Sequence, residues 1–238
     1  MFRSAYIWTY IPFVFALLFF VVGLLLSSYV AGNIDAANRV DLMTRVQTIA
    51  MLTNRSDVAE LSGTDQDLVL PAYDRLKKTL YDLHSVNGGA RFLYFQRSNA
   101  TNDKLIFLVD SEDPASKDYS PPGQVYEETS PLEMKNYLDA VSFTEGPYED
   151  SWGSWVSGYA PVWWQGKVVG IFGMDISALS WRAQIFSYRF ILIAISLLVG
   201  AAFVILGLYI RNSISCIAAI DKVNVELEEE KKKNNSTS

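Results

Sequence analysis

Two apolar runs divide the chain: Ile11 to Val30 and Phe190 to Ile210 enclose a long, mostly polar stretch, and a short charged tail follows. The second run, FILIAISLLVGAAFVILGLYI, has no charged residue over 21 positions. At about 1.5 Å per helical residue it is long enough to cross a hydrocarbon core of roughly 30 Å. The first run is interrupted only by Pro12, Gly23 and the pair Ser27 and Ser28, and Tyr6, Trp8, Tyr10 and Tyr29 stand where interfacial aromatic residues belong. Both runs predict spanning helices. A cleaved signal peptide, with Arg3 as its basic start, is the rival for the first, but the run exceeds an apolar segment of about 7–15 residues and no A-x-A site follows it. The predicted organisation is a cytoplasmic N-terminus over 1–10, spans over 11–30 and 188–210, an outer domain over 31–187 and a cytoplasmic helical stub over 211–238.

Inside the enclosed stretch the period changes along the chain. Val40, Met43, Val46, Ile49, Ala50 and Met51 recur mostly at three or four residues, which predicts a helix over Ala36 to Ala59 continuing from the first span. Thr64 to Asp67 offers capping chemistry for a second amphipathic helix, Leu68 to Leu83, in which Pro71 is tolerated near the first turn. Asn87-Gly88-Gly89 ends it. From Arg91 the period becomes two: Arg91 to Arg97 and Lys104 to Asp110 read as an antiparallel hairpin, and Trp155 to Trp164 and Lys167 to Ile176 as another, turning at Gln165-Gly166. At least four strands follow from this. Ser111 to Ser130, with Pro114, Pro121, Pro122 and Gly123, is too long for an ordinary connection and is a candidate binding loop, followed by a short helix over Pro131 to Ala140. Leu179 to Tyr188 is a helix feeding the second span without proline or glycine.

Charge narrows the partners more than it sets the orientation. Arg3, Arg211 and Lys222 flank one side of the spans and Arg39, Arg45, Arg182 and Arg189 the other, so the positive-inside count is close to a tie. From Ala31 to Ser187 there are 13 Lys and Arg against 21 Asp and Glu. That acidic balance argues against nucleic acid or an anionic lipid face as a partner of this domain. The single cysteine, Cys216, leaves no disulfide framework, which is ordinary for a bacterial extracytoplasmic domain. With His84 the only histidine and no GxSxG, HExxH, GxGxxG or phosphate-loop pattern, no catalytic constellation or cofactor motif is present, and an enzyme is not expected.

The ordered strings FLYFQR, LIFLVDSEDP, DYSPPGQVYE and EDSWGSWVSGYAPVWWQGKVVGIFGMDISALSW resemble the extracytoplasmic Cache (PDC) sensor domains of bacterial histidine kinases, diguanylate cyclases and chemoreceptors. The resemblance covers roughly Asn33 to Ser187. It implies an α+β, PAS-like Cache domain, a long N-terminal helix plus a central antiparallel sheet, set between two transmembrane helices, with a small-molecule pocket between the sheet and its covering loops.

The residues themselves give a compatible site. Tyr94, Tyr119, Tyr126, Trp152, Trp155, Tyr159, Trp163 and Trp164 concentrate aromatic surface in the strands and the facing loop, as small-molecule pockets do, although each alone is also a natural core residue. Asp110 and Asp175 end predicted strands, where a buried carboxylate needs a partner such as a ligand amine; each is equally suited to a turn or a helix cap. The expected ligand-binding set is Tyr94, Asp110, Tyr126, Trp152, Trp155, Tyr159 and Asp175. Arg91 and Arg97 share a face by even spacing and are candidates for a ligand carboxylate. Asp110, Glu112, Asp113 and Asp118 suggest calcium only weakly, because EF-hand spacing and its glycine are absent. In the tail, Ile217, Ile220, Asn224 and Leu227 follow the seam of a coiled coil, which predicts a homodimer, although so short a pattern suits a stub of ordinary helix nearly as well, and Asn234 to Ser238 are expected to fray.

These observations converge on a multi-pass receptor of a bacterial inner membrane. Its outer domain would bind a small molecule (an amino acid, amine or organic acid) and shift one span against the other in the lipid. The expected output module would lie past Ser238 or on a separate protein. The alternative is a two-span scaffold whose outer domain binds a partner protein.

Overall fold

The period-two alternation from Arg91 onward becomes a sheet whose two faces do different work. The computed structural model describes residues 9–236, with side chains to residue 232; Arg3, Tyr6, Trp8 and the chain end at Thr237 and Ser238 lie outside the described residues. The elements in chain order are α1 (Ile11–Leu52), α2 (Arg55–Glu60), a 3-10 turn (Asp65–Val69), α3 (Pro71–Val86), β1 (Phe92–Ser98), β2 (Leu105–Asp110), β3 (Val125–Tyr126), α4 (Pro131–Leu138), β4 (Phe143–Asp150), β5 (Gly153–Trp164), β6 (Lys167–Ser177) and α5 (Ala178–Ser236). The chain divides into two compact units, Asn33–Ile185 and the pair of segments Met1–Gly32 and Phe186–Ser238.

In the first unit all six strands form one antiparallel sheet in the order β3-β2-β1-β6-β5-β4. This is an α+β architecture in which a long N-terminal helix precedes a central antiparallel sheet. Leu93 and Phe95 of β1, Phe172 and Met174 of β6, and Val156, Ala160 and Val162 of β5 point to one face. There they pack with Leu42, Val46 and Ile49 of α1, Val58 of α2, and Ala72, Leu76 and Leu80 of α3. Gly158 on β5 lets α1 approach, since a Cβ there would stand 2.7 Å from Leu42 Cγ. The opposite face carries Phe92, Tyr94, Leu105, Phe107, Tyr126, Trp155, Tyr159 and Ile171 with Met134 of α4 and Phe143 of β4. The first face makes the main core; the second, aromatic face carries the candidate site.

Several boundaries differ from the sequence expectation for physical reasons. The helix over Ala36 to Ala59 is cut at Thr53, whose amide and hydroxyl both bond back to Ile49 O, while Asn54 turns extended at φ −68°, ψ 93° to start α2. Asp57 of α2 then takes both Arg75 Nε (2.8 Å) and a terminal nitrogen (2.7 Å), tying α2 to α3. The Thr64/Asp67 capping box starts the 3-10 turn, not α3, which begins at Pro71. β4 was not expected: FTEGPYED shows no clean alternation and contains Pro147. It lies at the sheet edge beside β5 alone, where a missing backbone donor is tolerated. The β5–β6 hairpin turns at Gln165 (φ 49°) and Gly166 (φ 75°), the two left-handed positions of a type I′ turn. The tail helix runs to Ser236, past the expected fraying point at Asn234.

The second unit holds the apolar parts of α1 and α5, the two helices among the described residues that are long and apolar enough to cross a membrane. Phe203 stacks with Phe15 (5.7 Å between centroids) and Phe19 (5.4 Å). Gly23 faces Ser196 and Gly207 faces the Phe13 ring so closely that a Cβ at either would collide. Small residues of this kind let two helices approach in lipid. Outward side chains such as Leu17, Leu25, Leu198 and Ile205 are exposed and apolar.

Candidate ligand-binding site

Register brings the site residues to one place. Phe92 lies opposite Asp175, Tyr94 opposite both Asp110 and Gly173, and Gln96 opposite both Phe107 and Ile171. Phe107 and Asp110 are three residues apart, so plain alternation would put them on opposite faces. The register shift at Phe95/Gln96 sends both Leu108 and Val109 into the helix-side core and returns Asp110 to the face of Phe107. The resulting cavity encloses about 370 Å³ of empty space, its open mouth included, and is lined by Phe92, Tyr94, Gln96, Phe107, Asp110 and Asp175 from the sheet. Asp118, Ser120, Tyr126, Asp150 and Trp152 close it from the loops and edges. Aromatic walls with a few placed polar groups are the kind of lining that small-molecule sites use.

Its charged groups differ in how fully the protein satisfies them. Asp110 Oδ1 accepts from Lys77 Nζ at 2.8 Å and Oδ2 from the Ser120 amide at 2.7 Å. Burial still raises its pKa above the ordinary value, against the pull of Lys77 and the Ser120 amide. Lys77 also donates to Glu112 O and lies 4.7 Å from the Tyr119 ring centre. Arg91 bridges Glu112 (2.6 Å) and Asp118 (2.8 Å). Together these bonds strap the loop after β2 to α3 and to the start of β1. Asp150 Oδ1 accepts from the amides of Trp152 and Gly153 and from Trp155 Nε1, and its Oδ2 from Tyr126 OH at 3.2 Å.

Asp175 is different. It is buried, 4% exposed, and accepts from Ser157 Oγ at 2.6 Å and Tyr94 OH at 3.0 Å through the same oxygen, Oδ1. Among the described residues no ion pair involves it. Burial without a counter-charge pushes its pKa up to about 7, although both hydrogen bonds pull the other way. Behind it, Tyr148 OH sits 2.9 Å from Ser157 Oγ and 3.2 Å from Tyr159 OH. Burial raises the pKa of Tyr94, Tyr148 and Tyr159, so these phenols stay protonated, and Tyr94 donates to Asp175. Glu133 of α4 adjoins the same network; burial pushes its pKa up to about 8, and its Oε1 has no hydrogen-bond partner among the described residues.

Of the expected site residues, Tyr94, Asp110, Tyr126, Trp152 and Asp175 line the cavity. Trp155 and Tyr159 lie beneath it: Trp155 meets the Phe92 ring edge-on at 5.1 Å, and Tyr159 stacks on Phe143 at 4.7 Å. Trp163 and Trp164 are exposed at the hairpin tip and take no part in the lining. Arg91 and Arg97 do not converge, because Arg97 donates on the helix side to Leu61 O, Val58 O and Val169 O. Asp110, Glu112 and Asp118 each meet a cation of the protein, which leaves no shared calcium cradle among them. Sequence reasoning missed Gln96, Phe107 and Phe92 as lining residues and Lys77 as the partner of Asp110; the even spacing of Phe92, Tyr94 and Gln96 was the available signal.

No protein-family model matches the sequence, and no curated protein matches it. Among solved structures, the chain is similar to the ligand-binding domain of the Campylobacter jejuni chemoreceptor Tlp3. In the complex of that domain with L-valine the identity is 15% and the TM-score 0.40, over 71% of this chain and 66% of the other. In its complex with 4-methylisoleucine the values are 19% and 0.42, over 71% and 61%. A methyl-accepting chemotaxis protein, residues 122 to 287, matches at 16% identity and TM-score 0.31, over 62% of this chain and 96% of that one. The chain thus spans somewhat less than two thirds of the length of the Tlp3 domain structures.

Proposed function

We propose that this protein is a membrane receptor whose sheet-borne pocket binds a small molecule carrying an ammonium group, an amino acid or amine, and relays its presence across the membrane. One observation carries the reading: Asp175 is a buried carboxylate with no cation of its own among the described residues, facing a cavity walled by Phe92, Tyr94, Phe107, Tyr126 and Trp152. An ammonium there would supply the missing charge to Asp175 and favourable contact with aromatic faces. An organic acid without an amine is disfavoured, because Asp110, Asp118, Asp150 and Asp175 all line the cavity while the nearby cations Lys77 and Arg91 are already paired.

Asp175 also stands three residues before α5 begins, on the strand that runs directly into that helix. A ligand that favours one position of the end of β6 biases where α5 starts, and differential affinity of this kind is what transmission requires. In this reading the pocket faces away from the cytoplasm of a bacterial cell. The exposed seam of Ile217, Ile220, Asn224 and Leu227 meets a second copy. A second reading, docking of a partner protein, draws support from the exposed Trp163 and Trp164 at the hairpin tip.

The test is calorimetric titration of the full chain in lipid nanodiscs with a panel of amino acids, alkylamines and organic acids. Binding of an amine-bearing member, weakened at least tenfold by Asp175→Asn and unaffected by Trp163→Ser, is the expected outcome. Absence of binding by every member, with binding of a protein partner that Trp163→Ser abolishes, supports the docking reading instead.

A further inference from the structure

Gln96 is the one cavity-lining side chain with a buried polar atom that nothing in the described structure satisfies. It lies on β1, a central strand, with 1% of its surface exposed, and its Oε1 has no hydrogen-bond partner. A buried amide oxygen without a donor lowers stability, and an apolar side chain of similar shape would avoid that cost. The register shift between β1 and β2 falls at this residue. Irregularities of this kind commonly re-aim a side chain beside a functional site.

Its place along the strand gives the orphaned oxygen a meaning. Phe92 lies opposite Asp175 and Gln96 opposite Ile171, so the carboxylate without an ion-pair partner among the described residues and the orphaned amide oxygen stand four residues apart along the cavity floor. That is about 13 Å between backbone levels at roughly 3.3 Å per residue. The remaining polar lining is dominated by carboxylates, Asp110, Asp118 and Asp150. The cavity therefore offers acceptors at both ends.

We propose that Gln96 reads a second hydrogen-bond donor, so that the ligand is two-ended: an ammonium at Asp175 and an N–H group, ammonium or primary amide, at Gln96. This rests on the amine reading above and sharpens it to a class of ligand, diamines and amino-amides of moderate chain length.

The experiment compares matched probes on the full chain in nanodiscs: 1,4-diaminobutane, 1,5-diaminopentane and 1,6-diaminohexane against butylamine, pentylamine and hexylamine, with 5-aminopentanamide and 5-aminopentanoate added. The best two-ended donor is expected to bind about tenfold tighter than its monoamine, and 5-aminopentanoate no tighter than pentylamine. Gln96→Met should abolish that preference, read as the ratio of diamine to monoamine affinity within the variant itself, and Gln96→Glu should enlarge the preference for diamines; the second variant keeps the test open should the first misfold. A two-ended preference that survives Gln96→Met, or equal affinity for diamine and monoamine in the unmodified chain, overturns the inference while leaving the amine reading standing. If no probe binds, this inference falls, and the amine reading is decided by the amino acids of the wider panel above.

Discussion

The ring of Tyr94 lies over the backbone of Gly173, and a Cβ added to that glycine would stand 2.2 Å from Tyr94 Cε2. The absence of a side chain on β6 is thus what lets Tyr94 settle across the strand and bring its hydroxyl to 3.0 Å from Asp175 Oδ1. Gly173→Ala should displace the ring, destabilise the fold by about 1–3 kcal/mol through overpacking, and weaken amine binding by more than the stability change explains. Denaturant unfolding and calorimetric titration of the same variant measure the two effects.

The two high carboxyl pKa values set a pH dependence of stability. Asp175 and Glu133 are held at about 7 and about 8 by burial, above the values they have in an unfolded chain. The folded chain therefore keeps protons that the unfolded chain releases. This stabilising contribution is complete below about pH 4 and is lost as pH rises through about 7 for Asp175 and about 8 for Glu133. Tm should be several degrees higher at pH 6 than at pH 8. Asp175→Asn and Glu133→Gln should each flatten the slope, and a profile that neither substitution alters contradicts the assignment.

Lys77 and Asp110 form a buried pair, with side chains only 10% and 6% exposed. Lys77→Met alone strands the carboxylate and is expected to cost about 3–5 kcal/mol. Lys77→Met combined with Asp110→Asn should cost less than Lys77→Met does. The loop from Ser111 to Gln124, strapped by this pair, should exchange its amide protons faster in the single variant. A double-mutant cycle with hydrogen exchange reads both.

Arg97 spends its guanidinium on three carbonyls, at 2.7, 3.2 and 2.7 Å, and so ties the segment after α1 to β6. Lysine carries a point charge on a flexible stem and cannot reproduce that fork. Arg97→Lys should lower stability by about 2 kcal/mol without changing ligand affinity, because the contacts lie on the helix face of the sheet. Parallel melts and titrations would show a loss of affinity if the residue instead served the pocket.

The four long strands were legible because their period of two is sustained, and so were both apolar helices. β4 was not, since FTEGPYED pairs on one side only and never needed to alternate. The cavity was half legible. Asp110 and Asp175 stood out as carboxylates at strand ends, yet their different roles depend on Lys77, which comes from α3 and is 33 residues from Asp110. Trp163 and Trp164 looked equivalent to Trp152 by composition; the left-handed turn at Gln165 and Gly166 carries them to an exposed tip. Gln96 passed for an ordinary strand residue because an unpartnered oxygen is a fact of three dimensions.

The central claim is that an ammonium group lands on Asp175, and proton release on binding tests it most directly. At pH 7 a carboxyl with a pKa of about 7 is half protonated, and an arriving cation drives it to the ionised form. Calorimetric titration of the full chain at pH 7 with its tightest-binding amine, repeated in buffers of different ionisation heat, should report release of about half a proton per chain. The release should vanish in Asp175→Asn. Amine binding with no proton exchanged, or a release that persists in Asp175→Asn, would contradict the account.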